Sequence, residues 1–264
     1  QVFGEIVDRY TMTDSVADGI TVKLTYDGRA ARVTTSSTIV DQIERYYAEC
    51  AKAGANESQI NESKVEMTRL DQILGAPERL RKVAADFVAY WDTRITEDAT
   101  IAGKTLFVCA NRPIAYALYQ AIGEIRPEWL TQPRCSVSSS SSSSRPPANQ
   151  ATPLLQLVMT RRRDDAPALY NLLGDDAFRR EQARQFKDPQ SSFKIALIVD
   201  MWLTGFDVPE LDLICIDKPI QKHGLIQAIS RVNRKCANKV EGIVVDYIGI
   251  KKHLDEALSI YTGG

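Results

Sequence analysis

KIALIVDMWLTGFDVPELDLICID, residues 194–217, contains two short apolar runs separated by a loop with a Thr-Gly-Phe-Asp turn. Their centres, residues 195–199 and 213–216, are continuously apolar and do not alternate with polar residues. Runs of this length and apolar composition are typical of strands that are buried on both faces of a parallel sheet. Gly205 permits a tight bend in the loop between them, because glycine adopts positive φ angles without a steric penalty.

The same alternation continues on both sides of this stretch, from Lys104 onward. The other apolar runs are TLFVCA, LLQLVM and GIVVDYI, and the helical patterns between and after the runs include RPIAYALYQAIGEI, DDAFRREQARQF and KKHLDEALSIY. Short buried strands alternating with helices predict an α/β fold, a doubly wound parallel sheet with helices on both faces and right-handed crossovers. A small segment of one strand and several helices precedes it, including PERLRKVAADFVAYWDTRI, whose apolar residues fall on one helix face.

Composition bounds the possible functions only loosely. The chain has 264 residues, a formal net charge of −1 and 44% hydrophobic residues, so its charge argues neither for nor against nucleic acid. Five cysteines without C-x-x-C spacing indicate buried free thiols, and two distant histidines predict no metal site. No apolar run approaches the length of a membrane span. The opening residues, QVFGEIVDRY, resemble the interior of a domain, and we expect a fragment of a longer protein.

Three further segments have simple interpretations. The Ala-Gly-Lys-Thr at residues 102–105 is not a phosphate loop, because the first glycine of that motif is missing and the strand follows the lysine. Arg-Arg-Arg-Asp-Asp at residues 161–165 is compatible with a phosphate site and equally with a solvated loop. The serine-rich stretch at about residues 133–153 is expected to be a flexible excursion.

The chemically informative residues follow the next apolar run, in GLIQAISRVNR. On a helix, Gln227, Arg231 and Arg234 would line one face, with Ser230 beside them. The loop with Gly205 also follows a strand, so we expect the loop and this helix at the same carboxyl edge of the sheet, where ligands bind in such folds. Two guanidinium groups beside an amide suit a polyphosphate. An amphipathic helix with solvated arginines is the alternative from spacing alone.

Gln-x-x-Ser-Arg-x-x-Arg after a parallel strand resembles motif VI of superfamily-two helicases and translocases, and DMWLTGFDVP resembles their motif V. The sequence between residues 200 and 249 is similar to that of the second RecA-like motor domain of the restriction (R) subunit of type I restriction-modification enzymes. DGITVKLTYDGR resembles the exit from that subunit's first motor domain. The resemblance implies three parts: residues 1–35 as the tail of the first motor domain or a linker, 36–100 as connecting helices, and 101–264 as the second motor domain.

The resemblance also implies a role for each matching residue. Arg231 and Arg234 would be the catalytic arginine pair that reaches the γ-phosphate of ATP, with Gln227 orienting their helix near the nucleotide. Gly205 and Asp207 match the Gly-x-Asp of motif V, on the ATP side. In addition, Thr204 and Arg112 would face DNA; Asn111 precedes Arg112 where serine is more usual.

The whole protein implied is an ATP-dependent double-stranded DNA translocase within a type I site-specific deoxyribonuclease. ATP with Mg²⁺ would be held mainly by the first motor domain, so the isolated fragment is expected to be inactive. Modification (methyltransferase) and specificity subunits would be partners, and the location would be the bacterial or archaeal cytoplasm, without a membrane. The alternatives are the second motor domain of another superfamily-two helicase and a non-catalytic α/β interaction module.

Overall fold

The computed structural model describes residues 12–33, 41–46, 48, 67–100, 102–131, 152–220, 222–236 and 238–262. The strands are β1 (Lys23–Gly28), β2 (Thr105–Cys109), β3 (Leu155–Val158), β4 (Ile195–Ile198), β5 (Leu213–Asp217) and β6 (Glu241–Asp246). The helices are α1 (Met12–Ala17), α2 (Ala30–Val33), α3 (Pro77–Thr96), α4 (Arg112–Ile125), α5 (Pro167–Leu173), α6 (Asp176–Lys187), α7 (Lys222–Ile229) and α8 (Lys251–Thr262). Further helical turns occupy 41–46 and 67–74. Most of the serine-rich stretch lies outside the described residues.

The six strands form one parallel sheet in the order β1-β6-β5-β2-β4-β3. This confirms the predicted α/β fold. The crossover from β2 to β3 and the crossover from β5 to β6 run toward opposite edges of the sheet. Because such crossovers are right-handed, α4 and α7 lie on opposite faces of the sheet. All residues of β2 to β5 are buried, as continuous apolar runs predict.

Strand β1 forms one edge of this sheet. It pairs with β6 over its whole length, from Lys23 opposite Glu241 to Gly28 opposite Asp246. It comes from the segment that the sequence analysis assigned to the end of a preceding motor domain. In the structure, therefore, residues 23–28 complete the same sheet as the strands that follow residue 101.

Helix α3 is fastened at both ends to strand β5 by buried ion pairs. Near its start, Arg79 Nη2 lies 2.5 Å from Asp217 Oδ1 and also donates to the Tyr247 carbonyl oxygen at 3.1 Å. Near its end, Arg94 Nη2 lies 3.3 Å from Asp212 Oδ2. Since Asp217 ends β5 and Asp212 precedes it, the helix spans the height of the sheet, with the predicted apolar face of Leu80 to Trp91 buried on the core.

Three cysteines fall among the described residues, and they are free thiols: Cys109 and Cys215 are buried and Cys236 is partly so. Burial raises the pKa of the Cys109 and Cys215 thiols well above the usual value, which makes them poor nucleophiles. None of the helices among the described residues is long and apolar enough to cross a membrane.

Candidate functional site

The loop at residues 200–209 runs from the carboxyl end of β4 back to the start of β5. Two of its residues have left-handed backbone conformations, Trp202 with φ of 70° and Gly205 with φ of 68°. A Cβ atom at Gly205 would meet nothing within 4 Å, so the backbone angle, not lack of space, favours glycine there. Thr204, Gly205 and Asp207 are exposed. The loop therefore presents its motif-like residues outward.

Aromatic packing holds the loop against the protein. The Trp202 ring stacks on the Phe206 ring with centroids 4.1 Å apart and planes 8° apart. Phe186 of α6, which is fully buried, contacts both rings at 5.2 and 6.2 Å, and Phe193 lies 5.0 Å from Phe186. The stack fixes the two sides of the Thr-Gly turn, which explains how a tryptophan is kept at a positive φ angle.

Two arginines bind the outer side of this loop. Arg231 donates from Nε to the Leu203 carbonyl oxygen at 3.0 Å and from Nη1 to the Phe206 carbonyl oxygen at 2.8 Å. Arg234 forms an ion pair with Asp207, with Nη1 and Oδ2 2.7 Å apart. We call this set, the loop 203–207 with Arg231 and Arg234, the loop–arginine site. It brings together the predicted residues Gly205, Asp207, Arg231 and Arg234, with Thr204 at the turn.

The electrostatics of the loop–arginine site favour an anion. Partial burial lowers the pKa of Arg231 from its ordinary value, the neighbouring positive charge of Arg234 lowers it further, and Asp207 opposes the shift. One carboxylate thus accompanies two guanidinium groups. Arg231 has five N–H donors, and the two loop carbonyls engage only two of them. The remaining donors can bind a further oxygen ligand.

The prediction that one helix carries both arginines was wrong. Helix α7 ends at Ile229, after Gln227, and Ser230 Oγ donates to the Gln227 carbonyl oxygen at 2.8 Å. The following chain leaves the helix because it pairs with the segment before β1: Val22 N donates to Asn233 O at 2.8 Å. Thr21 forms an antiparallel bridge with Arg234. Tertiary pairing here overrides helical spacing.

The position of the site also differs from the prediction. We expected the loop and the arginines at the carboxyl edge of the sheet, but α7 starts there and carries the chain back toward the amino ends of the strands. The chain after α7 pairs with the residues just before β1. It also packs against Gly242 at the start of β6, where an added Cβ atom would lie 2.2 Å from the Val232 carbonyl oxygen. The loop meets the arginines there because it returns to the amino end of β5.

Arg112, the other predicted DNA residue, lies apart from the loop–arginine site. It begins α4, where Asn111 Oδ1 caps the helix by accepting from Ile114 N at 3.0 Å. Its Nη2 lies 2.5 and 2.6 Å from the two Asp165 oxygens, and Nη1 donates to Thr160 O at 2.6 Å. Arg112 thereby orders the loop after β3 that carries the Arg-Arg-Arg-Asp-Asp sequence, and it lines a cavity of about 320 Å³.

Two lysines for which the sequence predicted no role in the site also hold this region. Lys239 Nζ donates to Pro209 O at 3.1 Å and to Leu211 O at 2.6 Å, and so fixes the end of the loop. Lys104, fully buried, donates to Phe193 O at 2.7 Å and lies 5.0 Å from the Phe186 ring centre. Neither lysine belongs to a spaced motif, because each contact joins residues distant in sequence. Among the described residues, no group of three or more His, Cys, Asp or Glu is arranged to hold a metal ion.

Comparison with known proteins identifies the family. A family model described as type I restriction enzyme subunit R domain 3 matches residues 104–249, and one described as SWI2/SNF2 ATPase matches residues 1–59. The chain is 33% identical over 265 residues to the type I restriction enzyme HindI endonuclease subunit of Haemophilus influenzae, covering 99% of this chain and 22% of that protein. A protein of Methanocaldococcus jannaschii, assigned as the type I restriction enzyme MjaIXP endonuclease subunit, is 31% identical with the same two coverages.

The chain therefore spans about a fifth of the length of these curated relatives. A solved fragment assigned to an HsdR subunit of a type I restriction enzyme from Vibrio vulnificus YJ016 superposes with a TM-score of 0.55 at 12% identity. The superposition covers 99% of this chain and 38% of the solved fragment, and it shows that the two share a fold. Because the first family model covers more than half of the sequence, from β2 through β6, this chain belongs to the family of type I restriction enzyme R subunits, in the region described as domain 3.

Proposed function

We propose that this chain supplies the second motor domain of a DNA-translocating R subunit and forms one wall of its ATP site. The observation that carries the proposal is the loop–arginine site. Arg231 bonds two backbone carbonyls of the loop, while Arg234 pairs with Asp207 of the same loop. Arg231 would therefore connect the surface that faces the nucleotide with the loop that faces DNA.

The residues present fit the phosphates of ATP. Arg231 retains N–H donors beyond the two used on the loop, and a phosphate would relieve the repulsion between the two guanidinium groups. A planar, permanently charged arginine is suited to the charge that develops during phosphoryl transfer. Bound ATP with Mg²⁺ would supply the hydrolysable phosphoanhydride. Gln227, in the last turn of α7, would position the segment that carries both arginines.

On the DNA side, Thr204 is the proposed contact. It is exposed at the turn between the two stacked rings, next to Leu203, whose carbonyl oxygen binds Arg231. A hydroxyl and nearby backbone amides contact phosphates without reading bases, as sequence-independent tracking requires. Arg112, which follows the carboxyl end of β2 and lies apart from Thr204, is the second proposed DNA contact, by ordering the loop of Arg161–Asp165 and by its guanidinium at the cavity wall.

The larger context is part of the same proposal. Residues 1–35 would derive from the end of the first motor domain, residues 36–100 would connect the domains, and residues 101–264 would form the second motor domain, although β1 is paired into its sheet. Double-stranded DNA and the modification and specificity subunits would be the partners. The endonuclease activity would belong to other parts of the subunit, in the cytoplasm of its host.

The test is Arg231→Ala in the R subunit that contains this sequence. We expect ATP hydrolysis to fall by about 10³-fold or more, the order seen when an arginine finger is removed. DNA binding, measured by gel shift without ATP, should persist. Arg180→Ala, at an exposed arginine of α6, is the matched control. Unchanged ATP hydrolysis in Arg231→Ala would refute the assignment, as would ordinary enzymatic turnover of ATP by the 264-residue chain alone.

A further inference from the structure

The short segment that carries both arginines is held by its backbone. We call residues 231–235 the arginine segment. It packs against β6, where a Cβ atom at Gly242 would lie 2.2 Å from the Val232 carbonyl oxygen. It also pairs with the residues just before β1, because Val22 N donates to the Asn233 carbonyl oxygen at 2.8 Å. Val22, Val232 and Asn233 are all buried, so this part of the segment is packed inside the protein.

Thr21 lies beside Arg234 in this pairing. The two residues form an antiparallel bridge, and the bond between Val22 and Asn233 lies one residue further along. Thr21 and Arg234 are therefore opposite each other without a backbone hydrogen bond between them. In such a pair the side chains project to the same face and lie close together, with Cα atoms about 4.5 Å apart. A β-branched neighbour at this distance restricts the stem of the Arg234 side chain.

Thr21 is in turn fixed by α1. Its backbone N donates to the Ser15 carbonyl oxygen at 3.2 Å, and its Oγ1 donates to Ser15 Oγ at 3.1 Å. Ile20 N donates to the same carbonyl oxygen at 2.9 Å. The position of Thr21 is thus set by contacts within its own part of the chain.

The pairing joins two parts of the chain that match different family models. Thr21 and Val22 fall within residues 1–59, which match the SWI2/SNF2 ATPase model. Arg234 falls within residues 104–249, which match the R-subunit domain model. The arginine segment is therefore bonded to the end of a segment that is assigned elsewhere by sequence similarity.

We propose that Thr21 and Val22 are positioning residues for Arg234, which hold its guanidinium at Asp207 and so at the loop–arginine site. The exposed ion pair with Asp207 is weak on its own, and the backbone pairing supplies the missing restraint. A displacement of the segment before β1 would then move Arg234 away from the loop. The inference rests on the proposed function, because it assigns these residues to the same ATP site.

The first experiment compares Val22→Pro with Val22→Ala in the complete R subunit. Both variants lose the buried valine side chain, but only proline also lacks the N–H that bonds Asn233. We expect kcat for ATP hydrolysis to be about 10- to 100-fold lower in Val22→Pro than in Val22→Ala, the order of loss when a catalytic group is misplaced by about 1 Å. The KM for ATP should agree within about twofold, since the arginine acts on the transition state.

The same two variants in an Arg234→Ala background separate positioning from damage to the fold. There we expect their rates to agree within about twofold, because the residue through which Val22 acts is gone. An equal loss in both backgrounds would overturn the proposal, since a general structural defect does not depend on Arg234. Equal kcat of Val22→Pro and Val22→Ala with Arg234 present would overturn it as well.

Substitutions at Thr21 keep the proposal testable if Val22→Pro does not fold. Thr21→Ala removes the branched side chain beside Arg234 and should lower kcat by about threefold, within the worth of one cross-strand pair. Thr21→Val keeps the branch without the hydroxyl and should restore the rate. Lys23→Ala, at the exposed next-but-one residue, should have no effect. Equal losses in Thr21→Ala and Thr21→Val would assign the effect to the Ser15 bond and exclude the contact with Arg234.

Hydrogen exchange of the 264-residue chain supplies a readout without ATP. The Val22 amide should exchange more slowly than the same amide in an unstructured peptide. Exchange at the unstructured rate would overturn this inference and leave the motor assignment intact. Conversely, unchanged ATP hydrolysis in Arg231→Ala would refute the motor assignment without altering the protection of Val22, so the two failures are distinguishable.

Discussion

Arg234 and Asp207 form an ion pair 2.7 Å long in which both side chains are about half exposed, at 47% and 51%. Exposed pairs of this kind contribute about 0 to 1 kcal/mol to folding, because water screens them and the side chains lose conformational freedom. The pair thus contributes little to the stability of the fold.

This relationship yields a prediction for Asp207→Asn. The free energy of unfolding in urea should change by less than about 1 kcal/mol, since the pair is exposed. In the complete R subunit, ATP hydrolysis should fall by at least about tenfold, because Arg234 and the loop lose their connection. Asp164→Asn, at an exposed aspartate outside the site, should leave both quantities unchanged. Normal hydrolysis with Asp207→Asn would show that the pair has no functional role.

The buried ion pair between Arg79 and Asp217 should behave in the opposite way. Asp217→Asn leaves a guanidinium that is 5% exposed without its charged partner, and such a change costs about 3–5 kcal/mol. Urea denaturation of the 264-residue chain measures this cost. The control is Glu78→Gln, which breaks an exposed pair with Lys82 on the same helix and should cost less than about 1 kcal/mol. Similar costs for the two variants would contradict the distinction.

Trp202 allows a test of backbone strain in the loop. Removing its ring should cost about 3–5 kcal/mol, because the side chain is packed in an aromatic cluster. Its φ angle is 70°, so Trp202→Gly should be about 1 kcal/mol less destabilising than Trp202→Ala. At Phe193, which is outside the positive-φ residues, the order should reverse, with glycine the worse substitution. Thermal or urea unfolding of the four variants compares the two sites.

Lys104 predicts a pH dependence of stability. Burial, with a smaller effect of the nearby Lys194, lowers the pKa of Lys104 to about 7 from 10.5. Between these values the unfolded chain binds a proton that the folded chain does not, so this group makes stability rise with pH above about 7. Its slope is limited to about 1.4 kcal/mol per pH unit and vanishes below pH 7.

Unfolding free energies of the wild type and Lys104→Met, measured at half-unit steps from pH 6 to pH 9, test this dependence. The difference between the two proteins should be constant below about pH 7 and should then shift in favour of the wild type as pH rises. Lys23→Met, at an exposed lysine, should show the wild-type profile. A difference that is flat across the whole range would rule out titration of Lys104.

The sequence predicted the strands well and the contacts between distant residues poorly. The apolar runs of β2 to β5 are buried on both faces, so composition alone marks them. The pairing of β1 with β6 has no such mark, because it joins residues far apart in the chain. Likewise, the residue spacing predicted that the helix continues to Arg234. The helix instead ends at Ile229, and the chain after it pairs through Asn233 with Val22. Gly205 and Asp207 were correctly placed next to the arginines, although at the other end of the sheet.

The buried ion pairs of α3 could likewise not be predicted from the spacing of residues along the chain. Helix α3 was interpreted from its apolar face, and nothing in that periodicity distinguishes Arg79 and Arg94 from solvated arginines. An aspartate that ends a wholly apolar strand, as Asp217 does, is a signal that a buried cation lies nearby.

The pairing of β1 with β6 has a consequence for synthesis of the protein. Lys23 lies opposite Glu241, so β1 leaves the ribosome more than 200 residues before its partner exists. Until then its backbone donors and acceptors are available to other strands, and the loop closure that joins the two is entropically slow. The last step of folding is therefore expected to be the addition of the first strand, and a chaperone or a neighbouring domain that shields residues 23–28 would raise the yield of folded chain.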